Sequence, residues 1–386
     1  MDDTLRAELA ALRAQGLERT LRTTSRRRGA VVETAHGPAI DFSSNDYLGL
    51  ASDPRLADAA ARALREQGVG SSAARLIAGN NAEHEALEQA IADFLGAESA
   101  LTFSTGYAAN VGLIPAIVGR DDAIFADALN HASLIDGCRL SRATIHVYQH
   151  ADVESLRSLL DRHRHSARRA LIVTDGLFSM DGDTAPLMEI VDLARRFDAW
   201  TYVDDAHAVG AVGEGGRGSA SAAGLHGNID IAVGTLGKAF GVAGAFVYGS
   251  ASLTSYMLNR ARSFVFSTAM MPAQAAASRE ALRIVGAEPE LRERLAANAR
   301  SLRQSLIGAA LSPMGIESHI VPVSVGDQAT TMRVAAALAA RGYLVGAVRP
   351  PTVPDGTSRL RITVSAAHTD EHIRGFVDAL AVAVRG

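Results

Sequence analysis

The chain has 386 residues, 48% of them hydrophobic, with 38 basic and 42 acidic side chains and a formal net charge of −4. That apolar fraction excludes a disordered chain, and the near balance of charge excludes a global field drawing in nucleic acid or an anionic membrane. The single cysteine, Cys138, excludes a disulfide framework, and apolar runs such as Ala170–Thr174 fall far short of the roughly 20 residues that span a bilayer.

In chain order, Met1–Gln15 predicts an amphipathic helix with Leu5, Leu9 and Leu12 on one stripe, and its acids argue against a transit peptide. The Arg26-Arg27-Arg28 run reads as a solvated loop, because nothing around it extends the charge. Strand-like residues at Ala39–Phe42 lead into a turn-rich stretch, Ser43 to Tyr47. Helices are predicted over Pro54–Gln67 and Ala82–Leu95, before an apolar strand at Ala100–Phe103. Helix 107–117, strand 123–126, helix 132–140, strand 144–148, helix 152–163, strand 170–174 and helix 186–197 follow, then strands 200–203 and 230–234. This alternation predicts parallel βαβ units and a large, mostly parallel sheet covered on both faces, an α/β fold. Ala245–Tyr248 follows closely enough to be an antiparallel neighbour. After Pro272 a helical region is expected to run to about Leu311. Strands Ile320–Val325, Leu344–Val348 and Leu360–Val364, interleaved with helices 328–341 and 370–384, then make an α+β appendage. The expected division is an N-terminal helix and arm over 1–50, a large α/β domain over 51–275 and a smaller C-terminal domain over 276–386, which includes the long connecting helix.

The basic residues comprise 37 arginines and one lysine, Lys238. Arginine cannot give up its proton in a protein, whereas a lysine amine can be deprotonated and attack a carbonyl. Chance survival of one surface lysine is the plain alternative. The ends of the predicted strands decide between them, since parallel sheets bind ligands at those ends. Strand 230–234 runs into Thr235-Leu236-Gly237-Lys238, and strand 200–203 into Asp204-Asp205-Ala206-His207. Strand 170–174 runs into Asp175-Gly176 and on to Ser179–Asp183, strand 100–103 into Ser104-Thr105-Gly106-Tyr107, and strand 123–126 toward Asn130-His131. A lone amine can form a Schiff base, and a carboxylate can hold a pyridinium nitrogen protonated. A glycine-led helix N-terminus can cradle a phosphate, and the His131 ring can cover a planar ring. Together these are a protein's part of pyridoxal-phosphate chemistry. Singly, Asp204 and Asp205 read as turn caps, and His131 and His207 as satisfied structural histidines. Gly213–Gly218 matches GxGxxG by letter, but no strand closely precedes it and no apolar helix follows, which argues against a dinucleotide. His163 and His165 lack a third ligand for zinc.

At these residues the chain resembles, over nearly its whole length, the fold-type-I pyridoxal-phosphate enzymes of the α-oxoamine synthase group. The resemblance is carried by Ser43–Leu50, Ser104–Asn110, Asn130–Ser133, Phe178–Gly182, Val203–His207, Thr235–Lys238 and the run Arg349-Pro350-Pro351-Thr352-Val353-Pro354. It implies a seven-stranded, mostly parallel sheet domain with a smaller α+β domain, pyridoxal 5'-phosphate as cofactor, no metal, a homodimer and a cytoplasmic location. It implies that Lys238 carries the cofactor and transfers the proton, that Asp204 pairs with the ring nitrogen, that His207 bonds the ring oxygen and that His131 stacks on the ring. Gly106 and Tyr107 would line the phosphate, Ser179 and Thr235 would bind the cofactor, and Thr268 would reach the partner subunit's phosphate. Arg361 would hold the amino-acid carboxylate, with Asn45 and His131 also at the substrate. Arg19, or Arg22 one helical turn on, would meet the acyl substrate or product with Thr352. The Arg349–Pro354 run points to the member of the group that condenses L-alanine with a pimeloyl thioester, on coenzyme A or acyl carrier protein, releasing CO2. The alternatives are condensation of glycine with acetyl-CoA and, in another class, a cofactor-binding regulator without turnover. A regulator would need a basic helix-turn-helix segment, and the chain has none to spare.

Overall fold

A computed structural model of the chain describes residues 1–350, 352–354 and 356–385, so Pro351 of the Arg349–Pro354 run lies outside the described residues. The chain divides into two compact units, one made of residues 45–296 and the other of 1–44 with 297–386.

The larger unit is built on a sheet whose strands, in chain order, are β1 (Ser99–Phe103), β2 (Ala123–Asp127), β3 (Thr144–Tyr148), β4 (Ala170–Asp175), β5 (Trp200–Asp204), β6 (Ile231–Thr235) and β7 (Ala245–Gly249). Among the described residues these seven lie in the order β1-β7-β6-β5-β4-β2-β3. β7 runs antiparallel to both β1 and β6, and the remaining neighbours are parallel. Helices α1 (Pro54–Gln67), α2 (Ala82–Leu95), α3 (Gly106–Ile117), α4 (Ala132–Ser141), α5 (Val153–His163) and α6 (Leu187–Arg196) flank it. Strand side chains alternate between two cores, as a period of two requires. Ile124, Ala126, Leu171 and Val173 pack with Leu113, Ile114 and Leu134 on one face. Phe125, Ala170, Ile172 and Val203 pack with Leu156, Leu160 and Ile190 on the other. Burial on both faces is why these strands read as continuous apolar runs.

Helix starts follow the local chemistry. Asp53 accepts from the Arg55 N–H ahead of Pro54, and Thr105 and Asp152 accept from Ala108 and Ser155 at the starts of α3 and α5. The expected helical region after Pro272 is two helices, Pro272–Ala287 and Glu290–Gly308. The break falls at Glu288-Pro289, where proline lacks the N–H to continue the ladder.

In the smaller unit Arg26–Arg28 is not a loop. Thr24–Arg28 pairs antiparallel with Val31–Thr34, and Arg27 bonds Asp41 at 2.7 Å. Its strand is almost fully polar and exposed, so it carried no hydrophobic period to read. The expected strand Leu344–Val348 is two pieces. Tyr343–Leu344 pairs parallel with Gly37–Asp41, while Gly346–Val348 pairs with Arg359–Thr363, itself beside Ile320–Val323. Among the described residues, no helix is long and apolar enough to cross a membrane.

Candidate active site

The carboxyl ends of β2, β4, β5 and β6 and the start of α3 enclose a cavity of about 190 Å³. Gly106, Tyr107, His131, Ser133, Asp175, Asp204, Ala206, His207, Thr235 and Lys238 line it. Seven of the expected site residues thus meet around one space within the larger unit.

Each is held by its own strand end. Asp204, the last residue of β5, accepts the Ala206 N–H on Oδ1 (3.0 Å) and the Asn110 side-chain amide on Oδ2 (2.6 Å). Asn110 is itself fixed by the Tyr202 hydroxyl, which donates to its Oδ1 at 2.7 Å, and it donates to Ser133 Oγ at 2.9 Å. Past β6, Thr235 donates to Gly244 O (2.9 Å) and accepts the Gly237 N–H (3.1 Å), shaping the turn that presents Lys238. Lys238 Nζ lies 2.7 Å from His207 Nε2, and His207 Nδ1 lies 2.6 Å from the Tyr47 hydroxyl, which donates to Asn45 Oδ1 at 3.1 Å. His131 is delivered by the turn after β2, where its backbone N–H donates to Asp175 Oδ2 at 2.8 Å and its Nδ1 sits 2.7 Å from Ser133 Oγ.

Burial sets the electrostatics. It pushes the Asp175 carboxyl well above the usual carboxylate range, and the neighbouring Asp204 charge adds to that. It holds the His131 imidazole below its ordinary value, against the pull of Asp204 and with the push of Lys238. Asp205, turned away from the cavity, is pushed up to about 7 by burial and accepts the Ser219 N–H (2.8 Å) and hydroxyl (2.5 Å). The GxGxxG-like run wraps this carboxylate. Gly218 has φ +93°, and a Cβ there would fall 1.9 Å from Asp205 Oδ2.

Of the remaining expected residues, Ser179 sits in the β4–α6 loop and Thr268 beside Ala74, lining a separate cleft with Arg75 and Ser263. Arg361 is buried in the Arg359–Thr363 strand of the smaller unit, Arg19 is exposed after the first helix, and Thr352 donates its N–H to Arg349 O at 3.0 Å. Sequence reasoning gave no role to Tyr47, Asn110, Ser133 or Tyr202. Tyr47 and Asn110 stood inside quoted motifs, and a fully buried Asn in an otherwise apolar helix is the signal that could have marked Asn110.

These groups fit pyridoxal phosphate. One primary amine and one buried carboxylate face a common space, and the first-turn N–H groups of α3 lack intrahelical acceptors. A Cβ at Gly106 would meet nothing within 4 Å, which leaves room for a phosphate there.

Comparison with known proteins agrees. Residues 38–380 match the family model "Aminotransferase class I and II". An 8-amino-7-oxononanoate synthase of Anaeromyxobacter dehalogenans (strain 2CP-1) is 49% identical over 98% of this chain and 95% of its own. A serine palmitoyltransferase from S. paucimobilis, solved with PLP bound, superposes with a TM-score of 0.94 at 33% identity, covering 99% of this chain and 97% of that one. An 8-amino-7-oxononanoate synthase from Francisella tularensis gives a TM-score of 0.77 at 27% identity, over 90% of this chain and 98% of that one.

Proposed function

Since the chain belongs to the class I and II aminotransferase family and, within it, to the 8-amino-7-oxononanoate synthases, we propose that it condenses L-alanine with a pimeloyl thioester. The products are 8-amino-7-oxononanoate, CO2 and the free thiol. The chain is a pyridoxal-phosphate-dependent acyltransferase of biotin biosynthesis. The single observation that carries the site is the convergence of the chain's one lysine with Asp204 and His207 on one cavity.

Lys238 would bind the cofactor covalently, Asp204 its ring nitrogen, His207 its ring oxygen and His131 its face. Gly106 and Tyr107 would hold the phosphate, with Ser179, Thr235 and a partner subunit's Thr268 completing the set. When bound, pyridoxal phosphate supplies an aldehyde that captures an amine and a ring that takes up electrons from a bond broken beside that nitrogen. The chain's own residues do the rest. Asn110 keeps Asp204 oriented by donating to Oδ2, while Oδ1 is occupied by the Ala206 N–H. Lys238 Nζ removes the proton from the alanine Cα, and the carbon so freed attacks the thioester carbonyl as the thiol leaves. One proton arrangement satisfies the whole line behind it. An ammonium at Lys238 donates to His207 Nε2, His207 Nδ1–H donates to the Tyr47 oxygen, and the Tyr47 hydroxyl donates to Asn45 Oδ1. Desolvation of the pocket favours return of Nζ to the neutral amine that can act as base.

Arg361 is assigned to the alanine carboxylate, with Asn45 and His131 at the substrate and Arg19 and Thr352 toward the acyl chain. The enzyme is read as a cytoplasmic homodimer. Thr268 lining a cleft apart from its own chain's cavity supports a role toward a partner.

The test is one competition tube in which holoprotein meets alanine and glycine together with pimeloyl-CoA and acetyl-CoA. A dominant alanine–pimeloyl product with CO2 lost supports the reading. A dominant glycine–acetyl product overturns the substrate assignment and leaves the cofactor assignment standing.

A further inference from the structure

Outside the cavity, one charged cluster in the larger unit has no part in the mechanism above. His150, just past β3, puts Nδ1 2.9 Å from Asp127 Oδ1 and Nε2 2.9 Å from Asp183 Oδ2. Asp127 ends β2, and its buried carboxylate also accepts the N–H groups of Leu129 (2.8 Å) and Ala151 (2.9 Å). It therefore shapes the turn that continues to Asn130 and His131. Asp183 closes the loop after β4, where Leu177 and Thr184 pair, Phe178 N–H donates to Asp183 O (2.8 Å) and Gly182 N–H to Phe178 O (3.0 Å). Ser179 to Asp181 form the tip of that small hairpin. The Phe178 ring meets the His150 ring edge-on, with centroids 4.4 Å apart.

We propose that His150 is a positioning residue for the cofactor site: its ring ties the turn that delivers His131 to the hairpin that carries Ser179. A neutral imidazole has one N–H and would turn a lone pair toward one of the two carboxylates, whereas an imidazolium donates to both. The two carboxylates raise the ring's pKa to about 10, Asp127 first and Asp183 second. Asp183 depends on this contact, because its other oxygen, Oδ1, is buried without a hydrogen-bond partner among the described residues. Without the ring, two carboxylates would face each other across a gap, and the hairpin would swing away from the His131 turn.

The test has two arms on the full-length protein. Nitrogen-15 NMR of histidine-labelled protein without cofactor reads the ring itself. The expected result is protons on both nitrogens at pH 8, the signal being assigned by its loss in His150→Gln or, should that variant not fold, by its shift in Asp183→Asn. A neutral His150 ring at pH 8 overturns the inference.

The second arm rests on the cofactor reading and titrates pyridoxal phosphate by absorbance. His150→Gln and Asp183→Asn should each raise its dissociation constant about tenfold, the scale of one charge-assisted hydrogen bond. The double variant should be no weaker than the weaker single one. Constants within about twofold of the parent, with only the melting temperature lowered, would make His150 a purely structural residue and overturn the inference. Should the parent protein itself fail to bind pyridoxal phosphate, the cofactor reading falls, and with it the role in positioning a cofactor site.

Discussion

Replacing Asn110 isolates the contribution of one buried amide to the site. The residue is fully buried on α3, donates to Asp204 Oδ2 at 2.6 Å and accepts the Tyr202 hydroxyl at 2.7 Å. Asn110→Ala removes a charge-assisted hydrogen bond, about 1.5–3 kcal/mol, and leaves a buried hydroxyl without its acceptor, about 1–3 kcal/mol. The expected loss is roughly 3–5 kcal/mol, a large share of the roughly 5–15 kcal/mol that keeps a domain folded. Asn110→Asp keeps the shape but turns a carboxylate toward Asp204 in place of a donor. At neutral pH it should be at least as damaged as the alanine variant, and it should recover on acidification as one of the facing carboxyls takes up a proton. Urea unfolding and pyridoxal-phosphate titration of both variants at pH 5.5 and 8 measure this. Alanine-variant stability within about 0.5 kcal/mol of the parent, or an aspartate variant with no pH-dependent recovery, would refute the reasoning.

Three further outcomes are expected. Lys238→Ala should abolish turnover and leave the melting temperature nearly unchanged; after borohydride reduction with pyridoxal phosphate, peptide mass mapping should find the adduct on Lys238 in the parent protein and none in the variant, which has no lysine left. Gly218→Ala should fold poorly and show a large drop in melting temperature, because the new Cβ falls 1.9 Å from Asp205 Oδ2 at a φ of +93°. The His150 contacts fix a direction with pH: a ring whose folded pKa is raised from 6.5 to about 10 stabilises fully below pH 6.5 and loses that contribution as pH rises through 10. The parent should therefore lose more stability than Asp183→Asn between pH 7 and about pH 10, which urea midpoints across that range would read; parallel curves would contradict it.

The cavity's residues were legible wherever one strand end supplied a whole motif. Thr235–Lys238 and Val203–His207 each leave a buried strand at the same edge of the sheet, so a parallel alternation read from sequence already placed them together. The fourteen-residue helices Pro54–Gln67 and Ala82–Leu95 were equally readable, each with its own cap. Thr24–Arg28 was not, because a polar edge strand is specified by its partner's backbone and carries no apolar period of its own.

The sequence by itself determined the α/β alternation, the reactive amine and the carboxylate meant for it, because each rests on local periodicity or on a residue type with no substitute. Only the tertiary structure decided how those groups are held. Asn110 meets Asp204 across 94 residues, and Tyr47 meets His207 across 160. The His150 ring chooses its two carboxylates from the ends of different strands. Such contacts form when packing closes the chain on itself, and no spacing along the chain encodes them.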